Sequence, residues 1–266
     1  MDASELRWSA TSTICDVCRY AVTIWEAILL VCGGAVAGVI NAMAGGGSTL
    51  TVPLLVLAGV PGNDANGSNR VGILSSNIST ALSFHRQGVT AYAEALPVLL
   101  PVVVGSLVGS IGVSRVADET FETIFGLVML PILVLSLRKP KPTVDREPWS
   151  RPVTLAVFFG IGIYGGAVQA GVGLVMLAAL TRAGYGLVKA NMIKVIITLV
   201  VTAIALPVFI IQGQVQWGPA WVLSVGLVIG GWFGARIAVE GGDRVIRWVM
   251  AAATAVLAAK LLGLFG

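Results

Sequence analysis

Six long apolar runs restrict what this chain can fold into more than any other feature. They are Ala27 to Ala44, Ala95 to Val113, Thr123 to Leu137, Met192 to Gln212, Trp217 to Ala235 and Val245 to Phe265. Several approach the roughly 20 residues that carry an α-helix across a bilayer. None shows the alternation over about ten residues expected of a transmembrane β-strand. Only 11% of the residues are charged, against about 25% in a soluble domain, and the mean hydropathy is +0.91. The expected class is an all-α polytopic membrane protein, with the lipid bilayer as the partner of its outer surface.

The chain also repeats itself. Moving the second half back by 125 residues, without a gap, superimposes Gly46 on Gly171, Ala65-Asn66 on Ala190-Asn191 and Gln87-Gly88 on Gln212-Gly213. Phe84 then falls on Phe209, Gly105 on Gly230, Gly109 on Gly234 and Asp118 on Asp243. These residue types are uncommon in lipid-facing helices, so the register reflects a duplication. Duplicated halves around a shared midplane site characterise transporters. The expected organisation is a polar leader over 1–24, a first membrane repeat over 25–137, a polar linker over 138–151 and a second repeat over 152–266. Each repeat is expected to hold four long helices and one short one, the short segments being about Ser48 to Ala58 and Gly173 to Ala183.

If the short helices cross the membrane, each half crosses five times and the repeats are inverted. If they dip in and return, each half crosses four times and the repeats are parallel. Cytoplasmic loops are enriched in Lys and Arg. With a cytoplasmic linker, five crossings put twelve cations inside and five outside, whereas four crossings give nine and eight. The inverted arrangement is expected, with both termini outside.

The stretch Asn41-Ala-Met-Ala-Gly45-Gly46-Gly47-Ser48-Thr49 interrupts an apolar run with three consecutive glycines. Unpaired backbone in lipid is costly and is tolerated only where it is buried in protein or lines a cavity. A helix restarting after such a break presents free N–H groups and partial positive charge, which suit an anion. Gln169-Ala-Gly171-Val-Gly173 offers a second break, and the two are expected to face each other across one site. By contrast, the Gly34/Gly38 and Gly105/Gly109 pairs have the spacing of close helix packing.

Two cations follow the breaks, in Asn66-Gly-Ser-Asn69-Arg70 and Lys189-Ala-Asn191-Met-Ile-Lys194. An intramembrane cation is costly and points to function. Arg70 lies near a loop and fits a snorkelling interfacial residue equally well; Lys194 sits within NMIKVIITLVV and reads better as functional. Both favour an anionic ligand, and replacing either by Ala is expected to weaken anion binding without unfolding the chain. Asn77 joins the candidate binding set, while some of Ser75, Ser76, Ser79, Thr80 and Ser83 serve helix contacts. Glu26, Glu94 and Glu122 mark helix starts, and Asp118 and Asp243 read as N-caps of a repeated loop. No carboxylate lies clearly mid-membrane, so no proton relay is evident. Cys15-x-x-Cys18 has no second pair and no His after it, and reads as incidental. No catalytic residue, metal, cofactor or nucleic-acid partner is expected, and a homodimer is allowed.

The segments GGGSTLTVPLLVLAGVP, ANGSNRVGILSSNISTALSFHRQG and VVVGSLVGSIGVSRV closely resemble the sulfite exporter TauE/SafE family of membrane permeases. AGYGLVKANMIKVIITLVVTAIALPVFIIQGQVQW resembles that family's second repeat, and the likeness covers roughly residues 28 to 262. Here the second glycine motif is QAGVG, where the family has a fuller glycine cluster, which sets the two half-sites apart. The resemblance implies export of sulfite or a small organosulfonate such as sulfoacetate from the cytoplasm, across the cell inner membrane. The reading is a secondary transporter with alternating access rather than an enzyme. One alternative is an intramembrane serine hydrolase using Ser48 with His85, the chain's one histidine; a channel or assembly subunit is another.

Overall fold

The computed structural model describes residues 22–137 and 149–261, with the backbone alone described at 129–137 and 242–261. Most of the leader with Cys15 and Cys18, and most of the linker, lie outside the described residues. The described residues form nine helices and no strand: α1 Ile24–Ala44, α2 Ser48–Leu57, α3 Gly62–Arg86, α4 Tyr92–Val113, α5 Asp118–Leu137, α6 Arg151–Ala167, α7 Val172–Arg182, α8 Leu187–Ile211 and α9 Trp217–Leu261.

Four of these are long and apolar enough to cross a membrane: Ile24–Ala44, Tyr92–Val113, Leu187–Ile211 and Trp217–Gly241. Their outward faces are those of a protein solvated by lipid. Along α9, Trp221, Val225, Ile229, Phe233 and Ile237 are all exposed at a spacing of four, forming one apolar stripe. Helix α3 is as long as α8 but far more polar, and its polar residues point inward: Asn63, Asn66, Asn69, Arg70, Ser76, Asn77 and Thr80 are buried. Neighbouring helices, rather than its own composition, keep it out of lipid.

The halves interlock. The first helix of each half packs most extensively on the fourth helix of the other, α1 on α9 and α6 on α4. Glycines set both contacts. A Cβ at Gly34 or Gly38 would meet the Leu223 or Leu227 carbonyl, and one at Gly226 or Gly230 the Val31 or Ala35 carbonyl. At the other contact Gly105 and Gly109 lie against the Phe159 and Ile163 carbonyls, while Gly162 and Gly166 lie against those of Val102 and Ser106. The packing role expected for the Gly34/Gly38 and Gly105/Gly109 pairs is what the structure holds. Gly109→Val should therefore fail to give a monodisperse protein in size-exclusion chromatography. The obstacle is backbone, which cannot yield as a side-chain tip does, and overpacking of this kind costs at least about 1–3 kcal/mol.

The 125-residue register reappears in the helix boundaries. Gly62–Arg86 shifts onto Leu187–Ile211, and Tyr92 onto Trp217. The left-handed glycines Gly59 and Gly88 likewise shift onto Gly184 and Gly213. Serine side chains of α3 bond across to α9, Ser76 to the Leu227 carbonyl, Ser79 to Val228 and Ser83 to Trp232, as helix glue.

Two expectations are corrected. The short helix α2 folds back along α1: Gly47 lies against Ala37 and Asn41, and Leu54 against Gly33. The pair is a helical hairpin with the glycines at its tip. The second half has no counterpart to the α4–α5 turn, because α9 runs unbroken through Asp243 to Leu261. In the first half, Asn63 donates its carboxamide protons to the Val113 and Val116 carbonyls, satisfying the end of α4. Its counterpart, Val188, has no donor, and continuing the helix satisfies those carbonyls instead. Asp118 caps a neighbour: its Oδ1 accepts from the Asn63 amide at the start of α3, at 2.8 Å. Glu26 does serve its own helix, in a reciprocal capping box with Thr23.

Candidate functional site

Helix α1 ends at Gly45, whose φ of 77° lets its N–H bond back to the Ile40 and Asn41 carbonyls. Only glycine adopts this left-handed geometry without strain. The chain then turns through Gly46 and Gly47 into α2. Among the described residues, the amides of Gly46, Gly47 and Ser48 donate to no backbone carbonyl. The hydroxyl of Thr49 is already bonded to the Gly46 carbonyl at 2.6 Å. In the second break Gln169 and Gly171 take left-handed backbone, φ 62° and 72°. A non-glycine residue in that region is uncommon. Gln169 is held there by its Nε2, which donates to Thr202 Oγ1 at 2.5 Å. The two breaks touch: Gly45 and Gly173 stack backbone on backbone, and a Cβ on either would collide with the other. These two glycines thus close directly on each other, where the sequence suggested two helix starts facing across a gap.

Both cations are fully enclosed. Arg70 is 0% exposed, which removes the interfacial reading. Its guanidinium donates to the Gly165, Gly166 and Ala167 carbonyls at 3.2, 2.5 and 3.0 Å and stacks 4.4 Å above the Phe209 ring. Asn66 Nδ2 adds a second bond to the Ala167 carbonyl. Lys194 Nζ donates to the Asn41 and Ala42 carbonyls and to Asn191 Oδ1, at 2.6, 3.2 and 2.9 Å. Each cation therefore caps the carboxyl end of the other half's first helix, Arg70 on α6 and Lys194 on α1. Helix C-termini carry orphan carbonyls and partial negative charge, which a cation satisfies. An ammonium has three protons and a guanidinium five. Lys194 is saturated, whereas Arg70 keeps donors free, its Nε among them. The expectation that Ala at either position leaves the fold untouched is therefore revised, since both side chains hold a helix end.

The asparagines divide by partner. Asn69 Oδ1 accepts from the Thr51 hydroxyl at 2.6 Å, while its Nδ2 is buried without a partner. Asn191 uses its oxygen on Lys194 and leaves Nδ2 free; Asn66 uses its Nδ2 and leaves its oxygen free. Asn77 has neither atom paired. Thr51 belongs to this arrangement and was missed by sequence reasoning. Its signal was the Ser48-Thr49-Leu-Thr51 run, which places a third hydroxyl one turn beyond the glycines. Thr202, noted only as a polar helix residue, holds Gln169.

The outer ends of α3 and α8 are closed by different chemistry. Over the start of α3 lies the α8–α9 loop, so close that a Cβ at Gly67 would strike the Gln214 carbonyl. Ser68 Oγ accepts from the Gln216 amide, Gln216 Nε2 donates to Asp64, and Gln214 Nε2 donates to the Ser114 carbonyl. Over the start of α8 the corresponding loop brings Val89 and Ala91 against Leu187, Val188 and Ala190. There the ion pair is Lys189 with Glu94, 2.5 Å apart and partly exposed.

Ser48 and His85 do not meet. Asn69, tied to the first turn of α2, and His85 lie sixteen residues apart on α3, about 24 Å at helical rise. His85 is exposed there beside Tyr92.

Comparison with known proteins agrees with this architecture. The family model described as Sulfite exporter TauE/SafE matches residues 30–261. A probable membrane transporter protein, ORF9, of Sinorhizobium sp is 29% identical over 85% of this chain and 88% of its own length. The probable membrane transporter protein YfcA of Escherichia coli K12 is 29% identical over 85% of this chain and 86% of its own. A probable membrane transporter protein of Haemophilus influenzae is 26% identical, covering 88% and 93%.

Proposed function

Since the chain belongs to the sulfite exporter TauE/SafE family of membrane transporters, we propose that it exports a small sulfur-containing anion, sulfite or an organosulfonate such as sulfoacetate. The proposed route is from the cytoplasm across the inner membrane, by alternating access. One observation carries the reading: the α2 start presents N–H groups without backbone partners, with the unpaired Asn69 Nδ2 beside them. The buried charges of Lys194 and Arg70 lie at the neighbouring helix ends. Such a set suits an oxyanion. The proposed binding set is Asn41, Gly45, Gly46, Gly47, Ser48, Thr49, Asn66, Asn69, Arg70, Asn77, Gln169, Gly171, Gly173, Asn191 and Lys194, now joined by Thr51.

The halves are proposed to be inverted repeats that rock against each other. The exchange of first-helix and fourth-helix partners, and of the two cationic caps, supports that symmetry. The hairpin form of α1–α2 leaves the sidedness of every charged loop as in the five-crossing scheme, because a helix pair that goes in and returns has the parity of two crossings. Purified protein in liposomes should show saturable uptake of labelled sulfite or sulfoacetate, accelerated by the same anion trapped inside. Flux that neither saturates nor shows counterflow would sink the carrier reading.

A further inference from the structure

We infer that Thr51 makes the site selective for the protonation state of its anion, by locking Asn69 so that only the NH2 end is offered to the solute. The inference rests on the anion-site reading above and adds a specificity device to it. A carboxamide has one accepting end and one donating end and can turn either way. At Asn69 the turn is prevented. Its oxygen takes the Thr51 hydroxyl proton at 2.6 Å, Thr51 is fully buried in the first turn of α2, and the freed Nδ2 is buried with no partner.

The groups around that nitrogen also give protons rather than receive them. The amides of Gly46, Gly47 and Ser48 have no backbone acceptor. The neighbouring carbonyls are already occupied, Gly46 by Thr49 and Asn41 by Lys194. The Ser48 hydroxyl can do both and does not discriminate by itself. An anion whose oxygens all accept satisfies such a lining. An anion of equal shape and charge with one O–H places a donor against a donor, leaving two buried polar groups unpaired. The second half has no equivalent device, since Thr51 and Asn69 correspond to Met176 and Lys194. The selective contact belongs to one half.

Methanesulfonate and singly charged methylphosphonate, compared at mildly acidic pH, have the same shape and charge and differ by one proton. Their affinities are measured on purified full-length protein by competition against a labelled sulfonate. Wild type should prefer methanesulfonate by about tenfold or more, in the range expected when a polar site rejects a mismatched partner. Thr51→Val frees the carboxamide and should shrink that preference severalfold, and Thr51→Ser should restore it. Asn69→Asp keeps the Thr51 bond but replaces the free donor by an acceptor, and should lose both anions. This variant carries the test if Thr51→Val does not fold. Equal wild-type affinities, an unchanged preference in Thr51→Val, or normal sulfonate binding in Asn69→Asp would each overturn the inference while leaving the carrier reading intact. A wild type that binds neither anion would remove both.

Discussion

Lys194→Met in detergent-purified protein should melt far below wild type, before any question of solute affinity arises. The substitution keeps an unbranched side chain of similar length in α8, so helix propensity and packing change little. It strips the Asn41 and Ala42 carbonyls and Asn191 Oδ1 of their shared donor in a place water does not reach. Leaving a buried polar group unpaired costs about 1–3 kcal/mol, and breaking a buried charge from its partners about 3–5 kcal/mol. Several kcal/mol is a large fraction of a protein's total stability. Arg70→Met should do less harm, because Asn66 still holds the Ala167 carbonyl. A thermal melt of the two variants in parallel ranks them. A Lys194→Met protein that melts like wild type and has lost only its affinity would show that the cap is not structural.

The second large effect belongs to the glycine contact. Gly173→Ala should give little or no folded protein, because its methyl would enter the Gly45 backbone, and neither chain can withdraw without pulling a helix end with it. Gly45→Ala meets the same obstacle from the other side and adds a left-handed φ of 77°, which costs an L-residue about 1–2 kcal/mol. Gly59→Ala separates the two causes. Its φ is 82°, and a Cβ there would have nothing within 4 Å, so only the conformational strain remains. Expression and size-exclusion profiles of the three variants should rank Gly59→Ala well above the other two. Equal yields from Gly173→Ala and Gly59→Ala would mean that the two breaks separate freely.

Much of this was legible in the residues. The breaks, the register of the halves, the packing glycines and the position of Lys194 all have side-chain signatures with a fixed spacing. What escaped has its cause in the backbone. The partners of Arg70 and Lys194 are carbonyls, which look alike at every position of a sequence, and they lie in the opposite half. Nothing in the residues near Arg70 says that the end of α6 will arrive there. The continuity of α9 turned on one substitution by position, Asn63 against Val188, in an otherwise matching register. The direction of α2 was misjudged because length limits how far a helix reaches, not which way it points; the Gly33–Leu54 contact decides that.

The unlike closures at the ends of α3 and α8 give the protein a thermal bias. Parting the α8 end wets Val89, Ala91, Leu187 and Ala190, and exposing apolar area is opposed by entropy near room temperature and raises the heat capacity. Parting the α3 end exchanges the bonds of Gln214, Gln216 and Asp64 for bonds to water, and polar exposure lowers the heat capacity. The balance between the two access states of an alternating carrier then follows a curve in temperature rather than a straight van't Hoff line. Cooling weakens the apolar closure first, so the population open at the α8 end grows in the cold.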